Sequence, residues 1–289
     1  MEAYTDFAQV YDTFMDETPY DEWADFLEEI INKYGISKPA RKKQDAVQGE
    51  GQVAGQKQPE TALQEDILAS ERNLVLDLGC GTGSLTERMA AKGYDMIGVD
   101  LSQEMLGIAL TKSKEAGSST LYLCQDMREL ELYSTVGTVI SVCDSVNYLL
   151  EEEDVEETFR LVNNYLYPGG IFIFDFNTLY KYEQVIGDTT IAENRDDCSF
   201  IWENYYHEEE HINEYDLTIF VRQDEEDDIF RRFGETHYQR GYTLKEMTEL
   251  VRKAGLEPVE ALDADTHKEP TEISERIYII AREKGKEKL

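Results

Sequence analysis

Asp77, three alternating glycines and Asp100 are the residues whose types and spacing most directly suggest chemistry. An apolar run (Leu74, Val75, Leu76, Leu78) reads as a buried parallel strand and leads into Asp77-Leu78-Gly79-Cys80-Gly81-Thr82-Gly83. A helical stretch over 84–92 follows and stops at Gly93. Glycines at such a junction let the backbone turn sharply and approach a ligand where a Cβ would clash. The helix start offers unpaired N–H groups and a positive dipole end to a carboxylate or phosphate. A second apolar strand over 96–99 ends in Asp100, seventeen positions after Gly83. An acid at that tip is placed to hold a ribose diol by paired hydrogen bonds. A tight turn and a helix-capping acid would explain either piece alone; together they point to a nucleotide-like ligand. The loop is not the Gly-x-Gly-x-x-Gly of dinucleotide sites.

Further along come Val99-Asp100-Leu101-Ser102 with Met105-Leu106, then Cys124-Gln125-Asp126-Met127 and Pro168-Gly169-Gly170. In these segments the chain resembles the class I S-adenosylmethionine-dependent methyltransferases. It is most similar to a group of small bacterial methyltransferases of unassigned substrate. That likeness rests on Phe7-Ala8-x-x-Tyr11-Asp12, Cys143-Asp144-Ser145-x-Asn147-Tyr148 and Phe172-Ile173-Phe174-Asp175-Phe176-Asn177. Arg231-Arg232-Phe233 followed by His237-Tyr238-Gln239-Arg240-Gly241-Tyr242 also fits, and only residues 37–70 fall outside the likeness.

The resemblance implies S-adenosyl-L-methionine as cofactor and S-adenosyl-L-homocysteine as its product. It implies that Asp100 holds the ribose hydroxyls and that Asp126, with the Met127 backbone, meets the adenine amino group. Leu101 and Met105 would sandwich the ring. The loop of Asp77, Gly79, Cys80, Gly81 and Gly83 would face the methionine part, with Cys143 beside the same crevice and Tyr11 closing over it.

Methyl transfer from a sulfonium needs alignment and exclusion of water more than a strong base. Asp144, Asn147 and Tyr148 lie just past the fourth strand and are expected to orient the acceptor. Tyr20, Trp202, His237 and Arg240 are candidates to reach the crevice from the arm and a later lobe, with a buried structural role as the competing reading for each. An Arg240 facing the pocket would favour an anionic acceptor; a cage of Tyr and Trp would favour an amine. No Asn/Asp-Pro-Pro-aromatic motif follows the fourth strand, so methylation of amino groups on DNA bases or glutamine is disfavoured. His207 and His211 are separated by three glutamates in hairpin-like sequence, so no metal is expected.

Composition narrows the partners. Against 28 Lys and Arg stand 61 acids, a formal charge of −33. Glu208-Glu209-Glu210 and Asp224-Glu225-Glu226-Asp227-Asp228 would repel a phosphate backbone, so nucleic acid is not the expected partner and a small-molecule acceptor is. The basic cluster Lys38, Arg41, Lys42, Lys43 lies in the least ordered-looking stretch. No apolar run approaches a membrane span, the N-terminus lacks a signal peptide's pattern, and the four cysteines show no metal spacing. A cytoplasmic, reduced protein is expected.

The elements that must position these residues follow from periodicity. Thr18 as cap and Pro19 at the first position open a helix whose Trp23, Phe26, Leu27, Ile30, Ile31 and Tyr34 recur at helical spacing. Residues 37–60 lose that pattern and read as a mobile loop, with a short helix over 60–68. Strands over 120–124, 138–143 and 171–175 then alternate with helices, one of them over 154–166. The fold class is α/β, a Rossmann-like doubly wound seven-stranded sheet. Its order, 3-2-1-4-5-7-6 with strand seven antiparallel, is implied by the resemblance. Short aromatic and β-branched runs over 190–240 predict an inserted antiparallel β lobe. A helix over 244–254 and strands over 257–262 and 277–281 close the sheet. The chain thus divides into an arm (1–36), a linker (37–70), the core (71–178), the lobe (179–241) and the end of the core (242–289). An exposed aromatic strand in the lobe would suit a homodimer or a lid. Two rivals stand beside the enzyme: a catalytically silent cofactor-binding module and a nicotinamide-dependent oxidoreductase.

Overall fold

The apolar runs and amphipathic helices assemble as two sheets in the computed structural model, which describes residues 7–40, 68–223 and 229–286. An arm of α1 (Ala8–Phe14) and α2 (Tyr20–Tyr34) precedes the core. The core runs β1 (Leu74–Leu78), α3 (Ser84–Ala91), β2 (Asp95–Asp100), α4 (Gln103–Ala116), β3 (Leu121–Cys124), β4 (Val136–Ser141), α5 (Glu152–Tyr165) and β5 (Leu166–Asn177). Next come β6 (Thr190–Asn194), β7 (Cys198–His207), β8 (Ile212–Arg222) and β9 (Phe230–Arg240). Finally, α6 (Leu244–Lys253), β10 (Leu256–Asp263) and β11 (Arg276–Glu283) return to the core. The large sheet has the order β3-β2-β1-β4-β5-β11-β10, with β11 antiparallel to β5, as the resemblance implies. The lobe is a four-stranded antiparallel meander, β6 to β9. No helix among the described residues is long and apolar enough to cross a membrane.

Each sheet face is covered for a reason visible in residue type. On one face α2 buries Leu27, Ile30 and Ile31 against Val75, Ile140 and Ile173. Burying each such aliphatic contributes roughly 1.5–3 kcal/mol. On the other, Phe159 and Val162 of α5 and Met247 and Leu250 of α6 pack on Phe172 and Phe174. The arm also joins core to lobe, since Phe7 and Val10 pack with Phe200, Leu217 and Ile219.

Three local expectations are corrected. Thr18 does not cap α2: the helix begins after Pro19, and Thr18 Oγ1 turns to Met15 Sδ at 3.7 Å. Thr18 is one residue too early, its carbonyl already taken by the Tyr20 amide at 2.8 Å. Ser37 and Ala40, at the start of the expected mobile loop, are tied to the core: Ser37 is buried with its Oγ 2.8 Å from Thr138 Oγ1, and the Ala40 amide donates to Gly93 O. Most of the expected loop, with Arg41 to Lys43, and nearly all of the 60–68 helix lie outside the described residues, as does the acidic run 224–228. The fifth strand is longer than read, Leu166–Asn177: Leu166 pairs with Val136, and after a register shift at residues 167–170 the pairing resumes at Ile171 with Thr138.

A full capping box opens α6: the Glu246 amide donates to Thr243 Oγ1 at 3.2 Å, and the Thr243 amide donates to Glu246 Oε2 at 2.7 Å. Thr243→Ala is expected to cost about 1 kcal/mol and lower the melting temperature by roughly 2–4 °C in a thermal scan.

Candidate active site

The carboxyl ends of β1, β2 and β4 open onto one cavity of about 260 Å³, the place where open α/β sheets bind ligands. At its floor, Gly79 and Gly81 take φ of +80° and +53°, left-handed values that favour glycine. A Cβ on Gly79 would lie 2.6 Å from Ser145 Oγ, whereas one on Gly81 would meet nothing within 4 Å. The backbone at Gly81 therefore faces open space that a ligand can enter. Gly83 does not line the cavity; it turns the chain into α3, and a Cβ there would strike the Tyr122 hydroxyl at 2.5 Å. Cys80 lines the cavity, and burial pushes its thiol well up, so it stays neutral.

Two carboxylates flank this floor. Asp100 accepts the Gly81 amide on Oδ2 at 2.8 Å and the Ser102 amide on Oδ1 at 2.9 Å. One oxygen is thus tied to the loop and the other to the start of α4. A carboxylate oxygen can accept more than one hydrogen bond, and Asp100 lines the cavity. Burial raises the Asp100 pKa, and those amides oppose the shift. Asp77 is buried behind the loop, accepts Thr86 Oγ1 at 2.6 Å, and is pushed up to about 7 by burial, with the Asp100 charge adding to the shift.

Leu101 presents a bare apolar side chain, 59% exposed, at the cavity rim, while Met105 lines it from α4. Asp126 and Met127 line the cavity as well. Arg128 pairs with Asp126 at 2.6 Å and holds its carboxyl below the usual range.

At the end of β4, Cys143 and Asp144 both have positive φ, +70° and +53°. For residues other than glycine this pair stores strain. Asp175 pins it, accepting the Cys143 amide on Oδ2 at 3.1 Å and the Asp144 amide on Oδ1 at 2.8 Å. Arg276 lies 3.5 Å from the same buried carboxylate. Burial pushes the Cys143 thiol up to about 12, so it lines the cavity as a neutral group.

The three residues expected to orient the acceptor divide here. Tyr148 lines the cavity. Asn147 does not: fully buried, its Nδ2 donates to Asn177 O and Arg240 O, and its Oδ1 accepts the Asn177 amide. It clamps the lobe to the core. Asp144 also lies off the cavity lining, its Oδ2 accepting Gln239 Nε2 at 2.6 Å.

Of the four candidates from the arm and lobe, Tyr20 lines the cavity beside Tyr11, and Trp23 packs edge-on to Tyr20 at 5.4 Å. Trp23 also lines it and was missed as a site residue, although its i, i+3 spacing from Tyr20 puts both on one helix face. Trp202 and Arg240 do not line it. Trp202 meets Tyr215 edge-on at 4.9 Å inside the lobe. Arg240 donates to Leu150 O at 3.0 Å and pairs with Glu152 at 3.5 Å. His237 stands one side chain behind the cavity, its Nδ1 3.4 Å from the Tyr148 hydroxyl. His207 ends β7 and His211 sits in the following turn at φ +58°.

Also missed were Thr82 and Ser84, which line the cavity and bind the arm through Asp12. Asp12 Oδ1 accepts Thr82 Oγ1 at 2.7 Å, and Lys112 Nζ reaches Asp12 Oδ2 at 2.6 Å.

Known proteins resemble this chain in sequence and in fold. Residues 75–170 match the family model described as a methyltransferase domain. A Geobacillus sp. (strain WCH70) protein, provisionally named a methyltransferase, is 33% identical over 97% of this chain and 99% of its own. The chain belongs to the class I S-adenosylmethionine-dependent methyltransferases. YqeM of Bacillus subtilis (strain 168), also provisionally named a methyltransferase, is 33% identical over 96% of each chain. The crystal structure of an S-adenosylmethionine-dependent methyltransferase from Clostridium acetobutylicum ATCC 824 superposes with a TM-score of 0.76 at 28% identity. It covers 98% of this chain and 100% of that one. None of the three names specifies an acceptor. In this chain the glycine loop, Asp100, Cys143 and Tyr148 meet at one cavity, with His237 of the lobe behind it.

Proposed function

We propose that the protein transfers a methyl group from S-adenosylmethionine to a small-molecule acceptor by in-line displacement. One observation carries this reading: a single cavity joins the glycine loop and Asp100 to an aromatic wall of Tyr11, Tyr20, Trp23 and Tyr148. The chain's own groups fit the cofactor. Leu101 offers an uncovered apolar face suited to adenine, Gly81 leaves open space, and Asp100 keeps acceptor capacity for a ribose diol. When bound, S-adenosylmethionine supplies a methyl carbon carried on a positively charged sulfur. Around it, Asp77 and Asp100 favour positive charge, while the aromatic wall orients the acceptor and excludes water.

The net charge of −33 supports a small acceptor over nucleic acid, and four free cysteines support a cytoplasmic setting. A cofactor-binding module without activity would have no use for an aromatic compartment beside the glycine loop, which favours the enzyme.

The test follows labelled methyl from S-adenosylmethionine in a cell extract depleted of the endogenous enzyme. Label in the low-molecular-mass fraction, dependent on added protein, is expected. Label confined to protein or RNA, or no transfer at all, would count against the reading. Leu101→Ser should weaken cofactor binding roughly tenfold by calorimetry, as the apolar cover over the ring is lost.

A further inference from the structure

Behind the cavity, β9 presents Glu235, His237 and Gln239 on one face, the period-two row of a strand. The three reach different targets. Gln239 Nε2 donates to Asp144 Oδ2 at 2.6 Å, and Glu235 Oε1 accepts the Phe7 amide of the arm at 2.9 Å. His237 lies between them, with Nδ1 3.4 Å from the Tyr148 hydroxyl and Nε2 3.1 Å from Glu235 Oε2. The side chains of His237 and Glu235 are only 4% and 6% exposed.

We infer that Glu235 and His237 form a proton relay behind Tyr148, and that the acceptor brings a proton on the atom to be methylated, as a hydroxyl or an amine does. This rests on the methyl-transfer reading above. The geometry assigns the directions. Toward a carboxylate Nε2 donates, and in the neutral imidazole that the relay requires Nδ1 then keeps its lone pair. The Tyr148 hydroxyl donates to that lone pair, which turns the phenolic oxygen's own lone pairs toward the cavity. Tyr148 is the residue that touches the acceptor; His237 and Glu235 act through it as positioning and proton-holding groups.

For a hydroxyl acceptor the balance is as follows. An oxygen lone pair forms the bond to the methyl carbon, and the carbon–sulfur bond breaks with its electron pair remaining on sulfur. The acceptor's proton passes to Tyr148 oxygen as the Tyr148 proton passes to His237 Nδ1. The resulting imidazolium is held by the Glu235 carboxylate, which is the same division of labour as in other buried acid–imidazole pairs. A thioether or tertiary amine has no proton to give and would leave the relay idle. Purely structural duty would be served as well by apolar side chains, since a buried ionisable pair is costly to desolvate.

The test uses the full chain labelled with ¹⁵N in its four histidines. His237, assigned by loss of its signal in His237→Gln, is expected as the neutral Nε2–H tautomer. With S-adenosylhomocysteine bound, phenol and benzylamine should move the His237 Nδ1 resonance, and dimethyl sulfide should not. Tyr148→Phe keeps the ring, removes the oxygen and should abolish the response. An Nδ1–H tautomer, or a His237 signal unmoved by either protic probe, would overturn the relay. Amide shifts at Gly79 to Gly83 on adding S-adenosylhomocysteine report the cofactor reading separately, and the tautomer is read without any cofactor. Once an acceptor is in hand, loss of the relay should lower kcat by about 10²–10⁴-fold with a smaller change in KM, the usual contribution of general acid–base catalysis.

Discussion

Asp100→Ala is expected to weaken S-adenosylmethionine binding by about 100-fold or more. The carboxylate has two duties, and alanine removes both. It accepts the Gly81 and Ser102 amides, holding the glycine loop against the start of α4, and in the proposed cofactor complex it would also accept from the ribose hydroxyls. A hydrogen bond to a charged group contributes about 1.5–3 kcal/mol, so losing even two such bonds amounts to 3 kcal/mol or more. Asp100→Asn separates the duties. Its single amide oxygen can accept one backbone amide, while its NH₂ opposes the other. Its affinity should fall between wild type and alanine. Calorimetry on folded variants checks this; an alanine variant with wild-type affinity would remove Asp100 from the site.

Cofactor affinity is expected to rise by up to tenfold per pH unit below about pH 7 and to flatten above it. Burial holds the Asp77 carboxyl at about 7 in the folded, ligand-free protein, against an ordinary 3.8. The folded state therefore binds this proton more tightly than the unfolded chain. Its contribution to stability is full below pH 4 and declines as pH rises to about 7. At 1.36 kcal/mol per pH unit the decline totals roughly 4 kcal/mol. A cation in the cavity reverses the preference, because positive charge beside Asp77 favours the carboxylate and binding then expels the proton. Titrations at pH 6 in buffers of different ionisation enthalpy should show proton release in wild type and none in Asp77→Asn. No release from the wild type would contradict the assignment. Without cofactor, Asp77→Asn should also flatten the decline in stability between pH 4 and 7.

The half of the cavity around the glycine loop was legible because its determinants are local. Asp77 to Gly83 and Asp100 each sit at the end of a strand whose apolar run is plain, and parallel pairing of β1 with β2 brings the ends together. The other half depends on how β9 docks, which no local pattern records. His237 and Arg240 stand three apart on one strand, so they point to opposite faces. One stands behind Tyr148 and the other braces Leu150 O. Trp202 takes the structural role that stood as its competing reading: its row on β7 turns toward the lobe interior with Phe200. Asn147 sits in a motif that suggests substrate contact, yet its amide bridges Asn177 and Arg240. Only the tertiary contact shows that a polar side chain in this turn ties two lobes together.

The most direct measurement is calorimetric titration of the purified protein with S-adenosylmethionine, S-adenosylhomocysteine and NAD. Saturable binding of the first two, with none of NAD, is the predicted result. A preference for NAD, or no binding of either sulfur nucleoside, would contradict a cofactor site at Gly79–Gly83 and Asp100.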